Sequence, residues 1–275
     1  MIIDYEAKTI TFHQSWLNDY YLCPERTRRA LLAPDENVGS DATALGTAMH
    51  SYAEHRLGDE PIEVAMAAAF NALDHEFSLA HKNVQKSDAQ VYDFLPAMCA
   101  AFEADILPTI PRGGKIEQKF SVLLGEWNDW QIILEGTIDY VTPGGIIYDW
   151  KTAGSPYKKW EKERWGIQPT AYAIGAVTTG LATYPVEWKY AIVIKKPESR
   201  PATQLVEFTR TNQHALWLRE QIYSILAQHF DPGDDEQPGD GRGLVTDGPW
   251  PKNDQHALCS EKWCPFWSTC KGKYL

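Results

Sequence analysis

Hydrophobic positions along the chain predict a helical first part and a strand-rich second part. Ser15 is placed to cap a helix that runs to about Leu32 and carries Cys23. A loop at 33–41 leads into a second helix, about 42–57, that bears His50. Further helical segments are expected near 62–80 and 87–107, the latter with Cys99 in an apolar run. Pro108 and Pro111-Arg112-Gly113-Gly114 interrupt this pattern. Strands rich in Ile, Val, Tyr and Trp follow near 115–124, 131–142 and 146–152. A helix carrying Tyr172 ends near Thr179, strands are expected near 186–194 and 204–209, and Thr211 caps a helix to about Phe230. Residues 231–253, rich in Asp, Gly and Pro, read as a long loop. The implied class is α/β (α+β).

Chemistry concentrates on the hairpin formed by the strands at 131–142 and 146–152. Centring its Pro143-Gly144-Gly145 turn on Gly144 sets Asp139 opposite Asp149. Directly opposed residues lie roughly 5 Å apart on one face, where two carboxylates repel unless a cation sits between them. Lys151 shares that face because side chains alternate along a strand. On its own, this could equally be a solvated hairpin with incidental charges.

The pattern Gly136-Thr137-Ile138-Asp139, then Asp149-Trp150-Lys151, resembles the signature of the PD-(D/E)XK nucleases, in particular their RecB-like branch. That branch also has an upstream helical histidine, matched by His50, and a Gln-x-x-x-Tyr, matched by Gln168 to Tyr172. The order of all four elements is the family's order. The resemblance implies a metal-dependent deoxyribonuclease, with an exonuclease acting on single-stranded DNA ends as its commonest form. Asp139, Asp149 and Lys151 would be catalytic. His50, Asp139, Asp149 and the backbone carbonyl of Trp150 would hold Mg2+ or Mn2+. Gln168 and Tyr172 would touch DNA, as would Lys158 and Lys159 just after the Asp-x-Lys strand. His50 read alone is a hydrogen-bonded structural histidine. Glu117 starts a strand where the family often has a glutamate near the site. Pro169 fits best in the first helical turn, which places Gln168 at the helix cap rather than on the flank.

Of five cysteines, Cys259, Cys264 and Cys270 crowd the C-terminal region while Cys23 lies far upstream. This arrangement resembles the iron–sulfur subgroup of RecB-like nucleases, in which four such thiolates ligate a [4Fe–4S] cluster. The first C-terminal gap, Cys-x4-Cys, is wider than the family's usual one. Structural Zn2+ at the same four thiolates is the alternative. Cys99 reads as a buried helix residue.

The resemblance spans most of the chain and implies a single nuclease domain over 1–275, with a restriction-endonuclease-like core whose mixed central sheet is flanked by helices. Residues 1–110 are its mainly helical portion with Cys23 and His50, 111–230 its catalytic core, and 231–275 its loop and cysteine module. Hydrophobic residues make up 44% of the chain, ample for a core. The net charge of −11 argues against bulk coating of duplex DNA but leaves room for local basic patches. No transmembrane-length apolar run or targeting segment stands out, so a cytoplasmic protein without membrane contact is expected. DNA is the expected partner. A phosphate-binding Gly-x-x-x-x-Gly-Lys motif is lacking, so unwinding would require a helicase, recombination or CRISPR-adaptation partner. A non-cleaving DNA-end-binding subunit and a structure-specific endonuclease remain the alternative functions.

Overall fold

The computed structural model describes residues 1–32, 41–79, 88–196, 200–230, 250–255, 258–261 and 263–272. In chain order its elements are β1 (Ile2–Asp4), β2 (Thr9–His13), α1 (Gln14–Leu22), α2 (Pro24–Leu32), α3 (Asp41–Leu57), α4 (Ile62–Leu79) and α5 (Asp88–Ala101). A π-helical turn at Phe102–Ile106 and a 3-10 turn at Leu107–Thr109 follow. Next come β3 (Lys115–Trp127), β4 (Trp130–Val141), β5 (Ile147–Ala153), α6 (Lys159–Trp165), α7 (Ile167–Thr178), β6 (Val186–Ile194), β7 (Ala202–Arg210) and α8 (Asn212–His229). The result is a mixed α/β fold whose sheet combines parallel and antiparallel pairs.

The chain divides into two compact units and passes between them within β3 and β4. The first comprises Met1–Asn37, Ser121–Gly136 and Gln213–Leu275. In it β1 pairs antiparallel with β2, and β2 pairs parallel with the first half of β4, Thr9 facing Gln131 and His13 facing Glu135. Ile10 and Phe12 of β2 are fully buried, as is Leu17 of α1. On α8, Leu218, Ile222, Ile225 and Leu226 recur at helical spacing and are buried together.

Here the expected continuous helix from Ser15 to Leu32 is broken. Cys23 adopts an extended conformation, φ −162° and ψ 103°. The ring of Pro24 excludes helical geometry from the residue before it. Cys23 therefore stands in a corner between two helices. The N-terminal strands β1 and β2 were not expected; β1 pairs with β2, whose other partner lies more than a hundred residues away.

The second unit comprises Val38–Phe120 and Thr137–Asn212. Its sheet pairs the second half of β4 antiparallel with β5, β5 parallel with β6, and β6 antiparallel with β7. One face packs on α3, α4 and α5 through a core that includes Leu45, Met49, Tyr52, Leu95, Phe102 and Trp150. α7 lies on the other face, where Tyr172 contacts Trp188 at 5.9 Å. Its Gly175 is required by close approach, since a Cβ there would meet the Phe120 ring at 2.5 Å. Strand alternation thus sends Trp150 into the α3–α5 core and Asp149 and Lys151 toward α7. The expected loops 33–41 and 231–253 fall mostly outside the described residues.

Candidate metal centre

The β4–β5 ladder aligns Val141 with Ile147 and Tyr140 with Tyr148, the register that the turn position predicts. The turn closes through Gly145, whose amide donates to the Thr142 carbonyl at 2.9 Å. Its φ of 81° suits a residue without a Cβ. One step beyond the Tyr140–Tyr148 rung, the pattern changes. Asp139 Oδ2 accepts the backbone N–H of Trp150 at 2.8 Å. A carboxylate thereby occupies the place of a ladder carbonyl at the mouth of a fork between the strands.

Asp149 lies deeper and is fully buried. Its Oδ1 accepts from Gln168 Nε2 at 2.7 Å. Its buried Oδ2 is held by the Lys151 ammonium in a charge-assisted contact. Burial raises the Asp149 carboxyl above its usual range; Lys151 opposes this and Asp139 adds to it. For Lys151, burial pulls downward, but the Asp149 and Asp139 charges outweigh it and hold the ammonium protonated.

His50 projects from α3 toward the same fork. Its Nε2 lies 2.9 Å from the Trp150 carbonyl, and its Nδ1 lies 3.5 Å from Asp139 Oδ2. A carbonyl only accepts, so Nε2 carries the hydrogen. Nδ1 then faces a carboxylate with either a second proton or a lone pair, and a lone pair there calls for a cation. Glu117 completes the cluster from β3. Its φ of 46° is a left-handed backbone that a non-glycine residue seldom adopts. The ligand atoms of His50, Glu117 and Asp139 all lie within 4.8 Å of one another. Burial pushes the Glu117 carboxyl to about 7, with Asp139 and Glu54 adding to the rise.

The remaining expected site residues have distinct placements. Pro169 is the third residue of α7, in the first turn as expected, whereas Gln168 is the second helical residue and the cap falls at Gly166 instead. Tyr172, one turn later, is buried against Phe120 and Trp188, and burial pushes its hydroxyl to about 12. Lys158 and Lys159 are exposed at the start of α6, where Lys158 pairs with Glu161 at 3.2 Å.

In the first unit, Cys23, Cys259, Cys264 and Cys270 are half-buried and line one cavity of about 210 Å³, with Arg26 and Lys252 also in its wall. Backbone turns hold the C-terminal thiols: the Cys264 amide donates to the Ser260 carbonyl and the Cys270 amide to the Phe266 carbonyl, both at 2.9 Å. Burial raises the Cys264 thiol, with Cys23 and Cys259 adding to the rise. Cys99 lies apart, fully buried with its Sγ 3.7 Å from Met49 Sδ.

A family comparison matches residues 12–271 to the PD-(D/E)XK nuclease superfamily. The chain belongs to that superfamily. A crystal structure of a candidate exonuclease from Eubacterium rectale is similar in fold, with a TM-score of 0.50 and 16% identity over 83% of this chain and 85% of that one. A structure of the protein SSO0001 aligns with a TM-score of 0.29 and 9% identity over 76% of this chain and 86% of that one, and bears no weight. No curated protein matches the chain.

PD-(D/E)XK nucleases use divalent metals, and the fork of this nuclease suits one. It offers an imidazole and two carboxylates within reach of one another, with the buried Asp149 carboxylate close enough to feel the Asp139 charge. Hard oxygen donors with one imidazole match Mg2+ or Mn2+. The compact trio differs in one member from the expected set: Glu117 belongs to it, whereas Asp149 is held by Lys151 and Gln168. Its signal in the sequence is slight, since nothing in the local pattern announces a left-handed residue inside a strand. Among the described residues, no helix is long and apolar enough to cross a membrane.

Proposed function

We propose that this nuclease is a RecB-like, metal-dependent exonuclease that hydrolyses phosphodiester bonds at single-stranded DNA ends. The observation that carries this reading is the convergence of His50, Glu117 and Asp139 beside an ion-paired Asp149 and Lys151. His50, Asp139, Glu117 and the Trp150 carbonyl would hold Mg2+ or Mn2+, with Asp149, which Gln168 and Lys151 orient, as a further carboxylate ligand. A divalent cation so bound lowers the pKa of a coordinated water and offsets charge on the scissile phosphate.

The protein's own groups divide the remaining work. Lys151, kept protonated by two carboxylates, donates to a phosphate oxygen as negative charge grows on it, and is unsuited to accept a proton. Gln168 fixes the Asp149 carboxylate through its 2.7 Å bond. The Asp139 carboxylate is oriented by the Trp150 amide. Lys158 and Lys159 are placed to meet the DNA backbone. Preference for single-stranded ends comes from the RecB-like resemblance, and exonuclease activity agrees with the name of the structural neighbour. The family match runs through both units, which supports reading 1–275 as one nuclease domain.

For the four cysteines we favour a [4Fe–4S] cluster over zinc. A tetrahedral Zn2+ with Zn–S bonds of about 2.3 Å needs sulfurs about 4 Å apart. Among the described residues, no three cysteine sulfurs lie within 4.8 Å of one another. A shared cavity of about 210 Å³ suits a larger, polynuclear group.

Degradation of end-labelled single-stranded DNA with Mg2+ or Mn2+ tests the activity, comparing wild type with Lys151→Ala. Metal-dependent release of labelled mononucleotides or short fragments, reduced about a hundredfold or more in the variant, is expected. Cutting of a closed single-stranded circle would replace the exonuclease reading with an endonuclease one. Metal-independent cleavage, or full activity in the variant, would refute the assignment.

A further inference from the structure

Between β5 and α7, the short helix α6 presents a surface to which the reading above gives no role beyond its lysines. None of its residues is buried. Yet it displays Trp160, 55% exposed, and Trp165, 62% exposed. The two indoles meet edge to face, 5.2 Å between centroids at 69°. In that arrangement each ring keeps at least one face free of the other.

A seven-residue helix without a buried face has little intrinsic reason to hold its shape. β7 clamps it at both ends instead. Before the helix, Gln204 brackets Tyr157, accepting its N–H at 2.8 Å and donating to its carbonyl at 3.0 Å. At the far end stands Arg210, 1% exposed. Its Nη2 donates to the carbonyls of Lys162, Glu163 and Gly166 at 3.3, 2.9 and 3.2 Å. Its Nε donates to Thr170 Oγ1 at 2.9 Å. A buried guanidinium thus satisfies the last carbonyls of α6, the end where a positive charge is favourable.

This clamped segment adjoins the carboxylate fork. Tyr157 and Lys162 both sense the charges of Lys151 and Asp149, and Lys162 Nζ lies 4.1 Å over the Tyr157 ring. Residues 158–165 carry Lys158, Lys159, Lys162 and Arg164 against Glu161 and Glu163, a local excess of positive charge in a chain of net charge −11.

We propose that Trp160 and Trp165 form a rigid stacking platform for unpaired bases of single-stranded DNA on its way to the fork, with Lys158, Lys159 and Arg164 beside them meeting its phosphates. This rests on the nuclease reading. Stacking accepts any base because every base has a π face, and paired bases in a duplex have theirs covered. The platform would therefore select unpaired strands without reading sequence.

The test is binding in EDTA, where cleavage is suppressed. Fluorescein-labelled oligo-dT is compared with an equally long strand of abasic sites, which keeps the phosphates and lacks bases. Wild type should bind oligo-dT at least about tenfold more tightly, and Trp160→Ala/Trp165→Ala should close that gap. Equal affinity of wild type for both strands would overturn the platform, as would a double variant that keeps the gap. The comparison within wild type needs no variant to fold. Adding Mn2+ to the same oligo-dT separates the two ideas: a gap without cleavage removes the nuclease reading and keeps the platform, and cleavage without a gap does the reverse.

Discussion

Arg210→Met should loosen α6 and destabilise the unit that contains it. The buried guanidinium makes the Nε and Nη2 bonds described above and one more, from Nη1 to the Thr209 carbonyl at 3.2 Å. Its charge also lies 4.5 Å from the Phe208 ring centroid. Hydrogen bonds from a charged donor are worth about 1.5–3 kcal/mol each in net terms. They do not simply add here, because water can reach some of the freed carbonyls on an exposed helix. Burial already lowers the Arg210 pKa, so removing the charge returns part of its desolvation cost. The balance is a loss of about 2–3 kcal/mol. Arg210→Lys should not restore it, since one ammonium cannot span Thr170 and three separate carbonyls. Urea unfolding measures the loss, and hydrogen exchange of the amides at 162–166 locates it. A loss under about 1 kcal/mol with unchanged exchange in α6 would refute the clamp.

Other perturbations probe the carboxylate fork and the first unit. Glu117→Gln should weaken Mn2+ binding by calorimetry at least tenfold, and unchanged affinity would remove Glu117 from the centre. In EDTA the same variant should be the more stable protein at pH 8. Burial raises the folded pKa of Glu117 to about 7, so wild type loses stability as pH rises through that value and the advantage disappears below about pH 4. Glu25 titrates with the opposite sign. Burial raises its pKa, but bonds from Arg28, Arg29 and the Trp250 amide outweigh it and leave the carboxyl low. Its stabilisation is present above the ordinary glutamate value of about 4.3 and lost as pH falls through the lower folded one. Glu25→Gln should therefore cost about 1–2 kcal/mol at pH 7 and progressively less as pH falls below the ordinary glutamate value, measured by urea unfolding. Cys264→Ala should abolish visible absorbance and iron content and lower the thermal midpoint. Loss of colour at full stability would contradict a structural cluster.

Much of the fork was legible in local sequence. A strand period of two and a short glycine turn place Asp139, Asp149 and Lys151 on one face, and nothing distant is needed to decide it. The helix of His50 is equally local. Proline chemistry at Cys23-Pro24 was also readable, though helical periodicity on either side masked the break. β1 and β2 were not readable, because short strands take their identity from partners, and the β4 residues that pair with β2 lie far along the chain. α6 has no apolar period, since what holds it is Gln204 and Arg210 from a strand some forty residues on. Glu117 joins the trio only through a left-handed backbone that its surroundings impose. Sequence alone determined which side chains share a face, because alternation and turn length act between neighbours. Tertiary structure decided which faces meet, because burial, ion pairing and ligand convergence depend on groups that the chain brings together only by folding.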